Sequence, residues 1–361
     1  MTTAAACIVL VSALAGDFTV TDDAYGSVHL KVLSNTATGE RASIVVNHGG
    51  GTDELLLLSK ATGQLKHVLW SHGRNATEVE LNPTWKGRQL LPYANRIGGA
   101  RYAFNGSEHH LPVNDVSGLN NSLHGLLWNK SLAVVASDAG ADAASVTLRY
   151  DFDGTDPGYP FLLRAEITYS LRAGGRFDVA VRAENRDAAG GWPLPFYNGW
   201  HPYFLVSDVS AARIVLDNRT AWRHVDVGVN DVPPRFSDMV PTTHVSDWGK
   251  NTGADAIGGN ATAPTYMDDE VKAMAALDSF QTRLVDPATR DVTVLHCDSS
   301  FRFLQIFTGA MATWGAAAVV LEPLSAMSDA YNNHDGLHVI SAGETYENSF
   351  GVSLEALEPE E

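Results

Sequence analysis

The sequence predicts an all-β protein built from large antiparallel sheets. Apolar and polar residues alternate with the period of a strand from Leu163 to Arg172, and the alternation resumes over residues 177–184 after Ala173-Gly174-Gly175. Long helical periodicity is almost absent, and Gly, Asn, Asp and Pro turns interrupt the chain along its whole length. These observations together favour antiparallel sheets stacked on one another.

The individual elements follow from the same patterns. The glycine turn at 173–175 predicts a hairpin, and residues 146–152 add a strand just upstream. Further predicted strands are 43–46, 212–216, 292–296, 303–307 and 317–321. One short helix is predicted over 268–277, where the acidic pair Asp268 and Asp269 would cap its first turn. Because no repeat, low-complexity stretch or charged linker marks a boundary, we expect one domain over residues 16–361.

Composition narrows the class of protein. The chain has 361 residues, 45% of them hydrophobic, which is enough for a large core. Its formal net charge of −17 argues against nucleic acid and anionic membrane surfaces as partners, since both select basic patches. The acidic residues are spread along the chain, which indicates solubility. With only Cys7 and Cys297, the chain has neither a disulfide framework nor a cysteine-based zinc site.

The N-terminus resembles a secretory leader. Residues 4–15 are apolar apart from Ser12 and end in Ala13-Leu14-Ala15, the small-x-small pattern of a cleavage site. No basic residue precedes Lys31, so a short buried strand or a disordered leader stays an alternative. Asn-x-Ser/Thr acceptors begin at Asn75, Asn105, Asn120, Asn129, Asn218 and Asn260. We therefore predict a signal peptide at residues 1–15 and a secreted glycoprotein, with a cytoplasmic protein as the alternative.

Two segments carry candidate acid–base residues. His201 stands in Asn198-Gly199-Trp200-His201-Pro202-Tyr203-Phe204, where the proline restricts its backbone and the rings limit its imidazole. A held histidine is a natural proton donor or acceptor, because its pKa lies near neutrality. Glu322 follows an apolar run in Leu321-Glu322-Pro323, and burial would raise its pKa towards that of a useful base. A structural histidine and a glutamate paired with an arginine stay open as alternatives.

Two further segments carry candidate binding residues. Arg96, beside the Gly98-Gly99 turn, can present several donors to hydroxyl oxygens. His124 lies at the glycine turn of Leu123-His124-Gly125. A solvated arginine and a loop histidine bonded to the backbone are the alternatives at these two positions.

Taken in order, these segments resemble a known family. Asn95-Arg96-Ile97, Leu123-His124-Gly125, His201-Pro202-Tyr203-Phe204 and Leu321-Glu322-Pro323 are similar, in order and rough spacing, to the motifs of the aldose 1-epimerase (galactose mutarotase) family. The resemblance runs from about Val46 to the end of the chain. It implies a large antiparallel β-supersandwich with an open cleft that binds a pyranose sugar, and a reaction that needs neither a metal nor a nucleotide.

The resemblance also implies roles for single residues. By position, Glu322 is similar to the family's general base and His201 to its general acid, placed on opposite sides of the sugar ring. The family also uses an aspartate in a Leu-Asp-x-x-Phe setting, and here Leu277-Asp278-Ser279-Phe280 is one residue shorter. The residues that the resemblance implies for sugar binding are Arg96, His124, Asn95 and Asp278.

The function that the resemblance implies is that of a mutarotase acting on a neutral hexose such as glucose or galactose. We expect such a protein to be a monomer or a weak dimer. A hexose-6-phosphate 1-epimerase is one alternative, but it needs extra cations and the chain has 25 Lys and Arg against 42 acidic residues. A carbohydrate-binding protein that has lost catalysis is the other.

Overall fold

The computed structural model describes residues 17–115, 120–225, 256–257, 259–260, 262–264, 267–308 and 316–358. Within these ranges the chain is nearly all β, which confirms the predicted fold class. The predicted leader at residues 1–15 lies outside the described residues. No helix in the described ranges has the length and apolar character needed to cross a membrane.

The strands are short to medium in length and follow one another closely. The first ten are β1 (Phe18–Tyr25), β2 (Val28–Asn35), β3 (Arg41–Val45), β4 (Thr52–Leu58), β5 (Leu65–His67), β6 (Gln89–Leu90), β7 (Arg96–Ile97), β8 (Arg101–Phe104), β9 (Ser107–His110) and β10 (Ser122–Leu123). The next are β11 (Ala133–Ala139), β12 (Ala143–Asp151), β13 (Leu163–Arg172), β14 (Arg176–Asn185), β15 (Leu194–Phe196), β16 (Gly199–Trp200), β17 (Tyr203–Leu205), β18 (Arg213–Val215) and β19 (Trp222–Val225). The last are β20 (Gly259–Asn260), β21 (Ala263–Pro264), β22 (Asp268–Ala273), β23 (Ser279–Asp286), β24 (Asp291–Asp298), β25 (Phe303–Phe307), β26 (Ala318–Leu324), β27 (His338–Ile340) and β28 (Thr345–Ala356).

Three larger sheets organise these strands, and their pairings are antiparallel. The first has the order β1-β2-β3-β4-β5, and the second has the order β11-β12-β13-β14-β28-β24-β23-β18. The third has the order β19-β22-β25-β26-β16-β6, with β17 also paired to β26. Two short helices, α1 (Ala76–Leu81) and α2 (Ala330–Asn333), lie between strands. Helix α1 begins after Asn75, whose side chain accepts a hydrogen bond from the Glu78 N–H.

The predicted hairpin is confirmed. Strands β13 and β14 pair along their whole length, from Leu163 opposite Asn185 to Arg172 opposite Arg176. The turn between them holds Gly174 at φ 82° and Gly175 at φ 73°, a left-handed conformation that glycine adopts without steric cost. The other predicted strands also coincide with observed ones, namely β3, β12, β18, β24, β25 and β26.

The predicted helix over 268–277 is wrong. Residues Asp268–Ala273 form β22, which lies between β19 and β25 in the seven-stranded sheet. The acidic residues of this segment serve tertiary contacts rather than a helix cap. Asp268 accepts a hydrogen bond from Gln305 Nε2 at 2.7 Å, and the buried Glu270 accepts from the backbone and hydroxyl of Ser328. Strand pairing and burial thus override the local propensity on which the helix prediction rested.

Successive side chains of β25 and β26 face opposite sides of the sheet, one side towards the core and the other towards the candidate site. Leu321 and its Cα partner Ile306 belong to a continuous apolar cluster that also includes Leu55 of the first sheet and Ile167 of the second. Glu322 and its partner Gln305 lie one residue further along and therefore project from the opposite face. This second face of the seven-stranded sheet holds the candidate site.

Candidate active site

A polar cavity of about 120 Å³ lies against this second face. It gathers side chains from strands of the sheet, from the loop that follows α1 and from the segments around β7 and β10. Its lining residues are Pro83, Thr84, Trp85, Asn95, Arg96, Leu123, His124, His201, Tyr203, Asp268, Gln305, Phe307 and Glu322. Of the six residues that the sequence proposed for the site, five line this cavity and Asp278 does not.

The backbone of His201 is fixed in the gap between β16 and β17. Its N–H donates to the Arg88 carbonyl at 3.0 Å, and its own carbonyl accepts from the Gly87 N–H at 2.9 Å. On the other side, β26 pairs with β16 at Leu324 and with β17 from Val320 back to Ala318. The pairing is therefore interrupted in between, at a stretch that includes Pro202. Pro202 has no backbone N–H, so the interruption leaves no donor unpaired at this residue.

The aromatic neighbours of His201 have different functions. The Tyr203 ring stacks on the imidazole at a centroid distance of 5.2 Å and an angle of 17°, and its hydroxyl donates to the Thr84 carbonyl at 2.7 Å. Trp200 is fully buried in the core, where it stacks on Phe350 at 5.2 Å. Phe204 is also fully buried in the core. Tyr203 is therefore the ring of this motif that holds the histidine and lines the cavity.

Glu322 is carried by the most buried strand of the site. Every residue of β26 is buried, and Ala318 and Val320, four and two positions before the glutamate on the same face, pack with Tyr203 in a small apolar cluster. A glutamate at the end of such a run is enclosed by sheet on one side and by the aromatic ring on the other. The strand thus fixes the carboxyl group and removes it from water.

His201 and Glu322 are in contact. The distance from Nε2 to Oε1 is 3.4 Å, and the two side chains are 7% and 3% exposed. Burial raises the pKa of the Glu322 carboxyl well above its usual value, Asp268 and Glu270 raise it further, and Arg96 opposes them. Burial also lowers the pKa of His201 to about 3. Burial thus favours the uncharged form of each group, a protonated carboxyl group and a neutral imidazole, so that the two side chains share one exchangeable proton.

His124 completes a row of rings beside this pair. Its imidazole meets His201 edge-to-face at a centroid distance of 5.0 Å and meets Trp85 at 4.9 Å. The backbone N–H of His124 donates to the Asn95 carbonyl at 2.9 Å. The next residue, Gly125, has φ 78°, and a Cβ there would lie 2.3 Å from the Leu91 carbonyl oxygen, so the turn requires glycine. Burial, with His201 and Arg96 nearby, lowers the pKa of His124 well below its usual value.

Arg96 reaches the cavity because β7 pairs with β10, which places it opposite Leu123 and beside the histidine turn. Its Nε donates to Asp115 Oδ2 at 2.9 Å, and Nη1 lies 3.4 Å from Asn95 Oδ1. Asn121 donates to the same Asp115 oxygen at 3.0 Å. These contacts hold the guanidinium at the edge of the cavity with part of its donors directed inward.

A polar chain that links the residue before β7 to strands β25 and β22 was missed by sequence reasoning. Asn95 Nδ2 donates to Gln305 Oε1 at 3.2 Å, and Gln305 Nε2 donates to Asp268 Oδ1 at 2.7 Å. The side-chain amide of Gln305 thus accepts one hydrogen bond through its oxygen and donates one through its nitrogen. These two bonds orient the side chains of Asn95 and Asp268 at the cavity. Because residues 268–277 were predicted as a helix, the sequence did not suggest that Asp268 lies on a strand beside β25, as the structure shows. Trp85, whose Nε1 is buried without a hydrogen-bond partner in the described part of the protein, was missed as well.

Asp278 lies elsewhere in the structure. It lines a separate cavity of about 580 Å³ on the polar face of the eight-stranded sheet, together with Arg172, Asp178 and His296. Asp268 is the aspartate that the structure brings to Glu322 and His201. Asp278 therefore lies outside the cavity that holds Glu322 and His201, whereas Asp268 lines it.

The arrangement has the parts needed for acid–base chemistry on a small polar molecule. A proton can pass between an enclosed carboxyl group and an imidazole, while amide, carboxylate and guanidinium groups surround the space in front of them. His124, His201 and Glu322 also bring one potential metal-ligand atom each to within 4.8 Å of one another.

Sequence comparison assigns the family. The sequence model of the Aldose 1-epimerase family matches residues 32–353, which spans every residue of the cavity. The chain belongs to the aldose 1-epimerase family. The protein YihR of Escherichia coli K12, described as uncharacterized, is 27% identical over 319 residues, covering 88% of this chain and 91% of YihR.

Solved structures share the aldose 1-epimerase fold at low sequence identity. A galactose mutarotase-like protein from Clostridium acetobutylicum is 17% identical with a TM-score of 0.74, over 94% of this chain and 99% of that one. A putative aldose 1-epimerase from Escherichia coli K12 is 19% identical with a TM-score of 0.63, over 94% and 100%. Galactose 1-epimerase from Lactobacillus acidophilus is 13% identical with a TM-score of 0.67, over 94% and 99%. The galactose mutarotase-like fold predicted from the sequence is thereby confirmed.

The contact between Glu322 and His201 bears on the placement that the sequence resemblance implied for them. The sequence resemblance implied a carboxylate and an imidazole on opposite sides of a sugar ring, but Glu322 and His201 are in contact. In a cyclic sugar, the anomeric hydroxyl oxygen and the ring oxygen are bonded to the same carbon, so they lie only two bonds apart. A contacting acid and base are therefore better matched to these two oxygens than a pair separated by a whole ring.

Proposed function

We propose that this protein is an isomerase that interconverts the α and β anomers of a neutral hexose such as glucose or galactose. The observation that carries the proposal is the buried contact between Glu322 and His201 in a cavity lined by sugar-compatible donors and acceptors. Membership of the aldose 1-epimerase family supports the reaction class. Neutral sugars bind through their hydroxyl groups, and the amide, carboxylate and guanidinium groups of this cavity suit such ligands.

The proposed reaction opens and recloses the sugar ring. Glu322, as carboxylate, takes the proton of the anomeric hydroxyl group, and His201 donates a proton to the ring oxygen as the bond between that oxygen and the anomeric carbon breaks. The product is the open-chain aldehyde. Rotation about the bond between the first two carbons presents the other face of the aldehyde. On reclosure Glu322 returns its proton to the carbonyl oxygen, which becomes the anomeric hydroxyl group again, and His201 takes the proton of the hydroxyl group that closes the ring. General acid and base each contribute about 10²–10⁴-fold to such a step.

The single proton of the pair suits a reaction that runs in both directions. Without sugar, burial favours the tautomer with this proton on Glu322, because it raises the pKa of the carboxyl group and lowers the pKa of His201. The reaction in the opening direction uses the tautomer with the proton on His201, and the closing direction uses the other one. A transfer over the short distance between the two side chains connects the two tautomers, so the pair can start either half of the cycle.

The remaining cavity residues would bind the sugar hydroxyls. Of the four binding residues implied by the sequence, Arg96, Asn95 and His124 line this cavity, and Asp278 lines another one. We add Asp268 and Gln305, because their hydrogen bond leaves them at the same face as Glu322. A carboxylate accepts hydrogen bonds from hydroxyl groups, and bonds to charged groups contribute more than neutral ones.

The charge of the cavity favours a neutral sugar over a phosphorylated one. Apart from its histidines, Arg96 is the basic side chain among the described lining residues, and it is already paired with Asp115. Asp268 and Glu322 add acidic groups to the same lining. A phosphate ester would therefore meet little positive charge here.

Nuclear magnetic resonance of freshly dissolved α-D-glucose and α-D-galactose tests the proposal. We expect the protein to accelerate the approach to anomeric equilibrium with at least one of these sugars. Acceleration with glucose 6-phosphate alone would establish the phosphorylated alternative. Calorimetric binding of a sugar without acceleration would establish a carbohydrate-binding protein. No acceleration above buffer with either neutral sugar, from a folded sample, would contradict the proposal.

We also propose export and N-glycosylation, on the strength of the sequence patterns alone. Asn75, Asn129 and Asn218 are exposed and accessible to a modifying enzyme, whereas Asn105 is partly buried and donates to the Pro193 carbonyl at 3.0 Å. N-terminal sequencing of protein from its natural source, with and without glycosidase treatment, tests both points. An intact Met1 and no change in mass on treatment would contradict them.

A further inference from the structure

The cavity holds a group of three potential metal ligands that includes the proposed acid–base pair. His124, His201 and Glu322 are all buried, and one potential ligand atom of each lies within 4.8 Å of the others. Two imidazoles and a carboxylate with an open fourth position are the ligand set of a common class of zinc site. Imidazole ligands favour zinc over magnesium or calcium, which prefer oxygen ligands alone.

Unpaired polar atoms provide an independent observation at the same place. Within the described part of the protein, His124 Nδ1, His201 Nδ1 and Glu322 Oε2 are buried and have no hydrogen-bond partner. A buried polar atom without a partner costs about 1–3 kcal/mol, so a ligand that pairs with such atoms gains affinity. All three residues of the cluster contribute one of these atoms.

The surrounding charges favour a cation. Asp268 and Glu270 act electrostatically on Glu322 as negative groups, and Arg96 is the opposing positive group. The Arg96 guanidinium is itself compensated by Asp115, to which its Nε donates at 2.9 Å. The formal charges of these four neighbouring residues therefore sum to a negative value before any ligand binds.

We propose that His124, His201 and Glu322 form a zinc-binding site, and that Zn²⁺ bound there blocks the acid–base pair. The ion occupies the position in front of the two side chains that a sugar's anomeric centre would need. Tetrahedral zinc holds its ligand atoms about 3.3 Å apart, given bonds of about 2.0–2.1 Å, so the three side chains must move closer together. The site is therefore weaker than a structural zinc site and serves inhibition rather than folding. The inhibitory part rests on the proposed function, whereas the binding part does not.

Calorimetry with zinc chloride and visible spectroscopy with cobalt chloride test binding directly, without any sugar. We expect the full chain, after treatment with a chelator and dialysis, to bind one zinc ion. Cobalt bound in its place should give the visible absorption of a tetrahedral site. The His124→Asn variant should lose at least about tenfold in zinc affinity, because removal of a ligand costs no less than removal of a residue that supports one. The matched control is His110→Asn, an exposed histidine outside the cavity.

The results separate the two proposals. No zinc binding, or equal binding by wild type and His124→Asn, would overturn the metal site even if the protein converts anomers. Zinc binding without anomer conversion would leave the metal site standing and remove the proposed function. Where His124→Asn fails to fold, Glu322→Gln serves as the test, since it keeps the side-chain shape and removes the anionic ligand. Retained affinity in that variant would also overturn the site.

Discussion

His201 Nε2 and Glu322 Oε1 lie 3.4 Å apart, in side chains contributed by neighbouring strands of one sheet. Pro202 and Pro323 both lie where β26 loses its pairing with β16 and β17. Residues 200–202 and 321–323 lack ladder pairing there, and the unchanged register on either side places His201 opposite Glu322. Stacking on Tyr203 then holds the imidazole in place. The two residues of the pair thus lie opposite each other at an interruption of the ladder between β26 and the β16–β17 edge.

The buried carboxyl group of Glu322 should reduce the stability of the fold above acidic pH. Its pKa is raised in the folded protein, while the unfolded chain ionises near the usual value of 4.5. Between these two pKa values only the unfolded chain loses its proton, so stability falls as pH rises, by about 1.4 kcal/mol per pH unit. We expect Glu322→Gln to be more stable than wild type at about pH 7 and to lose this advantage at about pH 4.

Urea unfolding of wild type and Glu322→Gln at the two pH values measures this difference. Glu108→Gln is the control, because Glu108 is exposed and its substitution should leave the stability difference close to zero at both pH values. A Glu322→Gln variant that is less stable than wild type at neutral pH would show that the folded protein holds the carboxyl group as an anion.

Asp268 and Asp278 provide a matched pair of substitutions. Asp268→Asn removes a charged acceptor from the cavity, and we expect kcat/KM for a neutral hexose to fall about tenfold to a hundredfold. Asp278→Asn alters a separate cavity and should change kcat/KM by less than about twofold. Steady-state polarimetry measures both variants. The opposite order of effects would return the binding role to Asp278.

Gln305 should act by positioning its neighbours. Gln305→Met keeps a similar length and removes the hydrogen bonds to Asn95 and Asp268. We expect KM to rise and the free energy of unfolding to fall by about 1–3 kcal/mol, since both bonds are buried or partly buried. Sugar titrations and urea unfolding measure the two effects. An unchanged KM with reduced stability would limit Gln305 to a structural role.

Trp85 should report on an occupied cavity. Its ring is buried, lies against His124 and lines the cavity, so a sugar would change its surroundings. We expect tryptophan fluorescence to change on addition of galactose or glucose, and Trp85→Phe to remove most of this change. Trp192→Phe is the control, since Trp192 is exposed and lines another cavity. An undiminished signal in Trp85→Phe would place the sugar elsewhere.

The sequence predicted those parts of the fold that depend on local pattern. The alternation on both sides of Gly174 and Gly175 led directly to the hairpin of β13 and β14, because the period of two is a property of the strand itself. The motifs around Arg96, His124, His201 and Glu322 also led to a common cavity. In these cases short stretches of sequence contain the relevant information.

Long-range pairing limited the rest of the prediction. Residues 268–273 carry acidic groups that suit a helix start, and only the partner strand β25 makes them a strand. Gln305 looked like an ordinary strand residue, because its function depends on Asn95 and Asp268, which are distant in sequence. The contact between Glu322 and His201 likewise depends on the register of β26 against β16 and β17, which places the two residues opposite each other and which no local pattern reveals.

The most direct test of the central claim is the rate of anomer conversion in wild type, Glu322→Gln and His201→Asn, followed by nuclear magnetic resonance on freshly dissolved α-D-galactose and α-D-glucose. We predict that wild type accelerates conversion of at least one sugar and that each variant, folded by circular dichroism, loses about 10²–10⁴-fold in kcat. Near-normal activity in either variant, or no acceleration by folded wild type, would contradict the assignment of this buried pair as the acid and base of a sugar epimerase.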